Sequence, residues 1–323
     1  MNGIPLLLAL PVLLLTQGVH AADAPRYPAK SIRFVVAYAA GGPADLLARS
    51  AAQRMSEELG GNIIVDNRPG TGTIAGAEIV AKAEPDGYTL FQTTAAAVSV
   101  NQHMYKKLPY NPEKDFAAVG MIGASPYGVF AHPGVPAASL KDLLAYAKAN
   151  SGKLNVGIGG VGTPPHFALQ MLELASGTSM TAVQYKGTAP GVSDLLEGRI
   201  QLMMTGPISM MAHVKSGKLK ALAVTSKTRF SQLPDVPAVA EVLADYEAQS
   251  WYAIVVPAAT PRDPINRLNG ALQKYTQSPA ERQKMLTQGV VLEGGTPEQL
   301  AAHIRAESER WSALIKKLGL TAE

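Results

Sequence analysis

Short apolar runs alternate with longer segments of helical period along the chain from residue 32 onward. The short runs are rich in β-branched residues and are bounded by Gly, Pro and hydroxyl residues, which is the pattern of strands. They are residues 32–38, 62–66, 88–92, 119–122, 128–130, 154–158, 181–184, 200–204, 221–224 and 251–256. Segments of helical period separate most of them, and such alternation is typical of parallel sheets covered by helices. The pattern therefore predicts an α/β fold.

Several helix starts carry a capping signature. Ser139, Ser278 and Thr296 each place a hydroxyl at the N-cap, with an acid or amide three residues later. Pro follows the last two of these residues at the first helical position. The helix after Thr296 is predicted to span residues 297–317 and to pack on the first domain. Its apolar stripe consists of Leu300, Ile304, Trp311, Leu314 and Ile315.

The chain length of 323 residues suggests two domains. Two irregular stretches, residues 123–126 and 235–250, are candidates for the points where the chain crosses between domains, and both would be hinges. If the chain crosses at both, the second domain is an insertion of residues 126–245. The first domain is then built from both ends of the chain, residues 26–125 plus 246–323.

The N-terminal segment has the pattern of a cleavable secretory signal. Residues 4–15 are almost wholly apolar, and a small-residue cleavage site at Ala21 and Ala22 follows them. A helix of that length would rise only about 18 Å, short of the roughly 30 Å hydrocarbon core of a bilayer. We expect residues 1–21 to be a signal peptide. The chain has no cysteine, which excludes disulfides, thiolate metal sites and a lipid-bearing cysteine as a tether.

Composition and charge narrow the classes of function. Hydrophobic residues make up 47% of the chain and charged residues 17%, which is the profile of an ordinary globular protein. The net charge is +4, but Lys and Arg are scattered and form no stripe interleaved with aromatic residues. Nucleic acid is therefore not an expected partner.

Gly-rich or hydroxyl-rich loops follow several predicted strands and lead into helices. They are residues 38–43, 68–73, 159–164, 185–190 and 205–207. Because the carboxyl ends of parallel strands meet at one edge of a sheet, these loops should gather there, with helix N-terminal N–H groups directed at a crevice. The arrangement predicts an anionic ligand in a cleft shared by two domains. The alternative is that Gly and Pro at these junctions only serve tight turns.

One of these loops, residues 157–162, also fits the G-x-G-x-x-G pattern of dinucleotide-binding proteins. That function requires an acidic residue about 20 positions further on, at the end of the next strand. None lies between Glu173 and Asp194. The same N–H groups would suit a carboxylate, which is the ligand we favour.

Signatures of enzymes and of metal sites are missing from the sequence. It contains no G-x-S-x-G, H-E-x-x-H or G-x-x-x-x-G-K-[ST] motif, and no two histidines stand at metal-ligand spacing. We therefore expect no catalytic residue, no metal and no cofactor. His166 lies in the first turn of a helix that should face the cleft, where direct ligand contact and ordering of the loop explain it equally well. Asp45 is expected to stabilise its own helix, and Arg68 and Lys186 are expected at the surface.

Motifs along essentially all of the chain after the signal segment resemble those of one family. In chain order they are Tyr27-Pro28 with Ile32-Arg33, Gly41-Gly42 with Asp45, Asn67-Arg68-Pro69-Gly70, Pro85-Asp86-Gly87-Tyr88-Thr89-Leu90, Leu108-Pro109-Tyr110 with Lys114-Asp115-Phe116, Tyr185-Lys186-Gly187 with Ala189-Pro190, Gly217-Lys218-Leu219 with Ala223-Val224-Thr225, and Leu233-Pro234-Asp235-Val236-Pro237. The chain resembles the Bug family, the extracytoplasmic solute receptors of tripartite tricarboxylate transporters. The resemblance implies a type II periplasmic-binding-protein fold, in which two α/β domains close on a small organic carboxylate. It further implies that the receptor delivers this ligand to membrane transporter subunits.

The resemblance also implies which residues line the ligand cleft. In the family, one carboxylate is held by the loop after the first strand and by a glycine-rich loop of the other domain, partly through ordered water. The corresponding residues here, with those that shape the rest of the pocket, are Tyr38, Gly41, Gly42, Asp45, Thr93, Thr94, Ala95, Gly160, Gly162, Thr163, His166, Tyr185, Thr188, Ala189 and Thr205. The resemblance further implies a periplasmic binding protein that is not an enzyme, and we expect a monomer.

The chain departs from the family pattern at three places. Its first loop has no hydroxyl residue before Asp45, and Pro43 removes one N–H donor from it. Ile74 stands where a polar residue is common, and Thr205 stands where an Asp is frequent. Because that Asp would suit a ligand ammonium group, we hypothesise a carboxylate ligand without an amino group.

The sequence bears on two other functions. The sequence leaves open the possibility that the receptor reports to a membrane sensor and not to a transporter. Identifying the membrane partner would distinguish these two functions. An exported hydrolase or transferase is disfavoured, because the sequence shows no nucleophile–base pair.

Overall fold

The structure, a computed structural model of the chain, describes residues 27–38, 40–159, 163–185 and 188–319. Two β-sheets with their helices dominate these residues. We call the first sheet and its helices lobe 1, and the second sheet and its helices lobe 2. The predicted signal segment, residues 1–21, lies outside the described residues. None of the helices within them is long and apolar enough to cross a membrane.

The two sheets divide the strands of the described residues between them. In chain order the strands are β1 Ile32–Val36, β2 Ile63–Asn67, β3 Thr89–Thr93, β4 Phe116–Pro126, β5 Gly128–Ala131, β6 Asn155–Ile158, β7 Thr181–Gln184, β8 Leu202–Thr205, β9 Lys220–Val224, β10 Gln249–Pro257 and β11 Val291–Leu292. Lobe 1 has the order β11-β4-β10-β3-β1-β2, and lobe 2 has the order β7-β6-β8-β5-β9. β1 is parallel to β2 and β3, and β6 is parallel to β7 and β8, whereas β10 and β5 run antiparallel to their neighbours.

Helices follow most of the parallel strands. They are α1 Pro43–Leu59, α2 Ile74–Ala81, α3 Asn101–Met104, α4 Leu140–Ala149, α5 Pro164–Ser176, α6 Thr188–Leu196, α7 Met211–Lys215, α8 Arg262–Gln277, α9 Pro279–Thr287 and α10 Pro297–Leu318. The three predicted N-caps are confirmed. The side-chain oxygens of Ser139, Ser278 and Thr296 each accept a hydrogen bond from the backbone N–H three residues later.

Each strand predicted from the sequence is present with slightly shifted ends, and one prediction about β4 is wrong. Residues 123–126 were expected to be irregular, but β4 continues through them to Pro126 because β10 pairs with it along its whole length. Gly123 also lets the second neighbour, β11, approach closely, since a Cβ there would collide with the Val291 carbonyl. β11 was not predicted, because two residues carry no periodicity.

The chain passes between the lobes at two adjacent places. β4 ends in lobe 1 at Pro126, and β5 begins in lobe 2 at Gly128. The return passage ends where β10 begins at Gln249, which is paired with Pro126. Thr225 in lobe 2 makes three hydrogen bonds with the linking residue Tyr127. Its Oγ1 accepts from Tyr127 N at 2.8 Å, and its N–H and Oγ1–H donate to Tyr127 O at 2.9 and 3.2 Å. The two passages therefore run side by side, as in a two-stranded hinge.

The C-terminal helix α10 contacts both lobes. Leu300 is buried against the sheet of lobe 1, as the apolar stripe predicts. The second half of α10 also reaches lobe 2, which the sequence did not indicate. There the ring of Trp311 meets the ring of Phe167 in α5 edge to face, with the centroids 4.9 Å apart. The buried carboxylate of Glu307 accepts from the Trp311 indole N–H at 3.1 Å and so holds that ring in place.

A second contact between the lobes lies at the end of α9. Gln232 of lobe 2 donates from Nε2 to the Leu286 carbonyl at 2.7 Å. Ile208 of lobe 2 packs so closely on Gly289 that a Cβ there would lie 2.5 Å from Ile208 Cγ1. Together with the hinge, the α9 and α10 contacts determine how the lobes face each other.

Candidate ligand-binding site

The carboxyl edges of the parallel strands in both lobes lie beside the hinge. In lobe 1 the last residue of β3, Thr93, is paired with Ala253 of β10. In lobe 2 the last residue of β8, Thr205, is paired with Gly128, the first residue of β5. Because β10 and β5 each begin directly after a passage between lobes, the two edges border one cleft. The chain leaves β3 and β8 beside the passages between the lobes.

The loop between β1 and α1 is held in shape by the buried carboxylate of Asp45. Its Oδ2 accepts from Gly41 N and from Arg49 Nε, both at 2.9 Å, and its Oδ1 accepts from Asn67 Nδ2 at 2.9 Å. Asn67 Nδ2 also donates to the Tyr38 carbonyl at 3.1 Å. The Asp45 side chain is only 3% exposed, so its oxygens are turned into the loop. This geometry supports a positioning role for Asp45.

The same contacts set the pKa of Asp45. Burial is the largest single influence and acts to raise the pKa. The hydrogen bonds from Arg49, Gly41 and Asn67, with the charge of Arg49, together outweigh burial and hold the pKa below its usual value. The carboxylate is therefore charged at neutral pH, in the first turn of α1, where it also complements the positive end of the helix dipole.

The N-termini of α1 and α5 offer different numbers of N–H donors to the cleft. α1 begins after Gly42 with Pro43 at its first position, so the amides of the next two residues lack acceptors within the helix. α5 begins after Thr163 with Pro164 and Pro165, which remove two donors from its first turn. An anion in the cleft would therefore find more backbone donors on α1 than on α5.

His166 lies in the first turn of α5 and is 8% exposed. Burial holds its pKa below the usual value, so the imidazole is neutral at pH 7. The next residue, Phe167, carries the contact with α10 described above. The first turn of α5 therefore holds both the predicted site residue His166 and a residue in contact with the C-terminal helix.

The predicted residues at the end of β3 and at the end of β1 come together. Tyr38 Oη lies 3.1 Å from Thr94 Oγ1, and burial raises the pKa of Tyr38 to about 12. Thr93 is fully buried, and its hydroxyl donates to the Thr94 carbonyl at 3.1 Å. Ala95 packs against the apolar cluster that joins α10 to α5. Lobe 1 therefore presents a hydroxyl-lined edge.

The predicted site residues of lobe 2 differ in their contacts and in their exposure. Tyr185 Oη donates to Asp194 Oδ2 at 2.8 Å, which engages this hydroxyl within lobe 2. Thr188 begins α6 half-buried, and Ala189 next to it is exposed. Thr205 is buried at the end of β8.

Some of the remaining residues singled out from the sequence are described by the structure, and others are not. Gly160, Gly162 and Lys186 lie outside the described residues. Gly41 has φ of 82°, a left-handed conformation that favours glycine. Arg68 is half exposed and paired with a neighbouring carboxylate, in agreement with the surface role expected for it.

Three polar residues beside the passages between the lobes were not indicated by the sequence. Tyr127 is the first residue after β4, and Ser250 and Tyr252 lie near the start of β10. Tyr127 and Tyr252 are both buried, and Tyr38 packs in the same apolar cluster as Tyr252. Apolar strand residues surround these three positions in the sequence, so no motif marks them, and only the strand topology brings them together.

The donor set suits an oxygen anion better than a metal. Within the described ranges, no group of three or more His, Asp or Glu side chains could hold a metal ion. The predicted site instead holds the backbone N–H groups at the start of α1 and the neutral hydroxyls of Tyr38 and Thr94, and such groups donate hydrogen bonds to carboxylate oxygens.

Comparison with known proteins gives one consistent result. Residues 47–320 match the family described as "Tripartite tricarboxylate transporter family receptor". Protein BugT of Bordetella pertussis is 31% identical over 322 residues, which cover 99% of each chain. The structure of the periplasmic binding protein BugD is 33% identical with a TM-score of 0.75, over 92% of this chain and 100% of that one. An adipate-bound protein of R. palustris is 31% identical with a TM-score of 0.78, over 91% of this chain and 99% of that one.

Proposed function

Because the chain belongs to the tripartite tricarboxylate transporter receptor family, we propose that it captures a small carboxylate between its lobes and delivers it to a tripartite tricarboxylate-type transporter. The family consists of periplasmic solute receptors and not of enzymes. The two-lobed type II fold agrees with this role. The adipate bound to the R. palustris relative makes linear organic acids the first ligands to examine.

The observation that carries the proposal is the cleft-facing start of α1. The Asp45 hydrogen bonds hold the preceding loop, and Gly42 caps the helix without any side chain. A carboxylate there would meet the orphan N–H groups of the first turn and the positive end of the helix dipole. Thr94 and Tyr38 add hydroxyl donors beside it.

Several finer features belong to the same proposal. Residues 1–21 are a signal peptide that is removed on export. The ligand-closing domains comprise residues 26–125 plus 246–323 and residues 126–245, and the protein acts as a monomer. The chain passes between the lobes close to these boundaries, since β4 ends at Pro126 and β10 begins at Gln249, and closure would be a hinge motion about the two adjacent passages.

The ligand has no ammonium group in this proposal. Thr205, which lies at the end of β8, carries no charge to pair with one, and both oxygens of Asp45 are already bound. Calorimetry with glutarate against glutamate, and with succinate against aspartate, tests this directly. We expect the acids without an amino group to bind more tightly, and the opposite order would overturn it.

A thermal-shift screen of linear mono- and dicarboxylic acids, after native mass spectrometry for co-purified ligand, tests the proposed function. An acid at about 100 times its dissociation constant should add roughly 2.7 kcal/mol of stability. Thr94→Val should reduce the shift, because it removes a hydroxyl at the cleft edge. Thr276→Val removes an equally buried hydroxyl on α8 and serves as the control. A screen in which no acid shifts the wild-type protein would contradict the proposal.

A further inference from the structure

Three successive turns of α10 are held by lobe 1. Leu300 is buried in the core of that lobe. In the next two turns, Ser99 Oγ donates to the Ile304 carbonyl at 3.2 Å, and Gln102 Nε2 donates to Ser308 Oγ at 2.5 Å. Both donors lie in the segment that follows β3. Because lobe 1 holds α10 over this length, the helix moves with lobe 1 when the lobes rotate about the hinge.

The ring of Trp311 is held in one orientation by its own helix. The Glu307 carboxylate accepts from its indole N–H at 3.1 Å, and Cζ of Arg310 lies 5.6 Å from the ring centroid. The same carboxylate accepts from the Trp251 indole N–H in β10 at 3.2 Å. Arg310 also donates to the Glu247 carbonyl on the return passage at 2.9 Å. These contacts fix the ring relative to the hinge.

The ring of Trp311 reaches across to lobe 2. Its partner Phe167 in α5 is buried, and the two rings meet edge to face with their centroids 4.9 Å apart. Met171, one turn further along α5, packs against the same apolar cluster, whose other members belong to α10 and to the segment after β3. We call the contact between Trp311 and Phe167 the latch. It joins a helix held by lobe 1 to a helix of lobe 2.

The neighbours of the latch place it on the side of the hinge where the cleft opens. Ala95, which packs against the same apolar cluster, follows Thr94, and Phe167 follows His166. Thr94 and His166 are predicted site residues, one in each lobe. A rotation that opens the cleft therefore moves Phe167 away from Trp311. Because the attraction between packed atoms weakens steeply within about 1 Å of added separation, even a small opening breaks this contact.

We propose that Trp311 is a positioning residue for ligand capture, which stabilises the closed arrangement of the lobes by packing on Phe167. This inference rests on the proposed function and adds to it the contact that keeps the receptor closed. Trp311 acts without touching the ligand. The latch raises the fraction of receptor whose lobes are closed, and the apparent affinity for the ligand rises in proportion to that fraction.

Calorimetric titration with adipate, succinate and hexanoate tests the latch in Trp311→Ala. For the acid that binds wild-type protein most tightly, we expect the dissociation constant to rise about threefold to tenfold, the range of one aromatic pair. Trp311→Phe keeps an aromatic ring against Phe167 and should recover most of that loss. Phe167→Leu removes the other ring, should weaken binding similarly, and is the independent variant if Trp311→Ala impairs folding.

Phe116→Ala is the matched control for these variants. It removes an aromatic ring that meets Tyr110 edge to face, with the centroids 5.7 Å apart, and both rings belong to lobe 1. Phe116 begins β4, at the end of that strand remote from the hinge. The control should lower the free energy of unfolding and leave the dissociation constant of the acid unchanged.

Intrinsic fluorescence observes the latch directly, because the two tryptophans of the chain, Trp251 and Trp311, both donate to Glu307. In Trp251→Phe the remaining indole is Trp311, and saturating acid should shift its emission as the latch closes. In Trp311→Phe the remaining indole is Trp251, which contacts lobe 1 in both arrangements. Its emission should shift much less.

The outcomes separate the latch from the receptor function. If an acid binds and Trp311→Ala leaves its dissociation constant unchanged, or Phe116→Ala raises it as much, the latch is wrong and the proposed function stands. An emission of Trp251→Phe that saturating acid leaves unchanged has the same meaning, since the ring then does not respond to closure. If none of the three acids binds wild-type protein, the proposed function fails together with the latch.

Discussion

Replacing Asp45 with Ala should both destabilise lobe 1 and weaken ligand binding. The change leaves the N–H of Gly41 and the amide of Asn67 without their buried acceptor. Hydrogen bonds to a charged group contribute about 1.5–3 kcal/mol each, and these two are partly offset by release of a buried carboxylate. The pair with Arg49 adds well under about 1 kcal/mol, because that side chain is 51% exposed. The expected total loss in the free energy of unfolding is about 2–3 kcal/mol.

Urea unfolding measures this loss, and thermal melting should show it as a decrease of roughly 4–12 °C in Tm for a lobe of this size. Asp45→Asn, which keeps one acceptor, should fall between wild type and Asp45→Ala. Asp263→Ala is the control, since its i,i+4 pair with Arg267 is exposed and should matter by less than about 0.5 kcal/mol. Equal stability of Asp45→Ala and Asp263→Ala would refute the role given to Asp45.

The pH dependence of stability is a second test of the contacts made by Asp45. The folded-state pKa of Asp45 lies below its ordinary value of 3.8, so its contribution to stability is present above that value. It is lost as the pH falls from about 4 through the lower folded-state pKa. The Asp45→Ala protein should therefore lose less stability than wild type over that acid range. An identical acid profile for both proteins would show that the carboxylate is not stabilised by its neighbours.

The remaining predictions concern packing and the contacts between lobes. Gln92→Met should raise the free energy of unfolding by about 1–2 kcal/mol, because both polar atoms of this buried amide lack a hydrogen bond. A lower free energy of unfolding in urea would contradict this prediction. Glu307→Ala should lower the free energy of unfolding by about 2–4 kcal/mol, because the indole N–H groups of Trp251 and Trp311 and the guanidinium of Arg310 lose the carboxylate that they contact. An unchanged free energy of unfolding would show that these contacts do not stabilise the fold. Gly289→Ala should lower Tm through its positive φ and its collision with Ile208, and adding Ile208→Ala should restore only part of the loss.

Most of the architecture could be predicted from the sequence because its strands and caps are local signals. β-branched runs indicated each strand longer than two residues, and the N-caps at Ser139, Ser278 and Thr296 follow from adjacent residues alone. The expectation of irregular backbone at 123–126 was wrong because Gly and Pro there suggested a turn. Pairing with β10 overrides that local preference.

The site was harder to predict because its geometry depends on contacts between distant residues. The motif around Asp45 indicated the first loop, but only the fold shows that its carboxylate is buried and bound to Asn67. Tyr127 follows β4 and Tyr252 lies in β10, and only the pairing of these two strands brings the distant positions to one region. Likewise, nothing local indicated that Trp311 would contact Phe167 in the other lobe.

Calorimetric titration of the purified protein with the strongest-binding acid of the panel, and with the diamide or amide of the same acid, tests carboxylate capture most directly. The amide keeps the size and shape of the ligand but has no negative charge for the N-terminus of α1 to stabilise. We predict saturable 1:1 binding of the acid and a loss of at least roughly tenfold in affinity for the amide, equivalent to about 1.4 kcal/mol. Equal affinity for the acid and its amide would contradict the proposal that the cleft recognises a carboxylate.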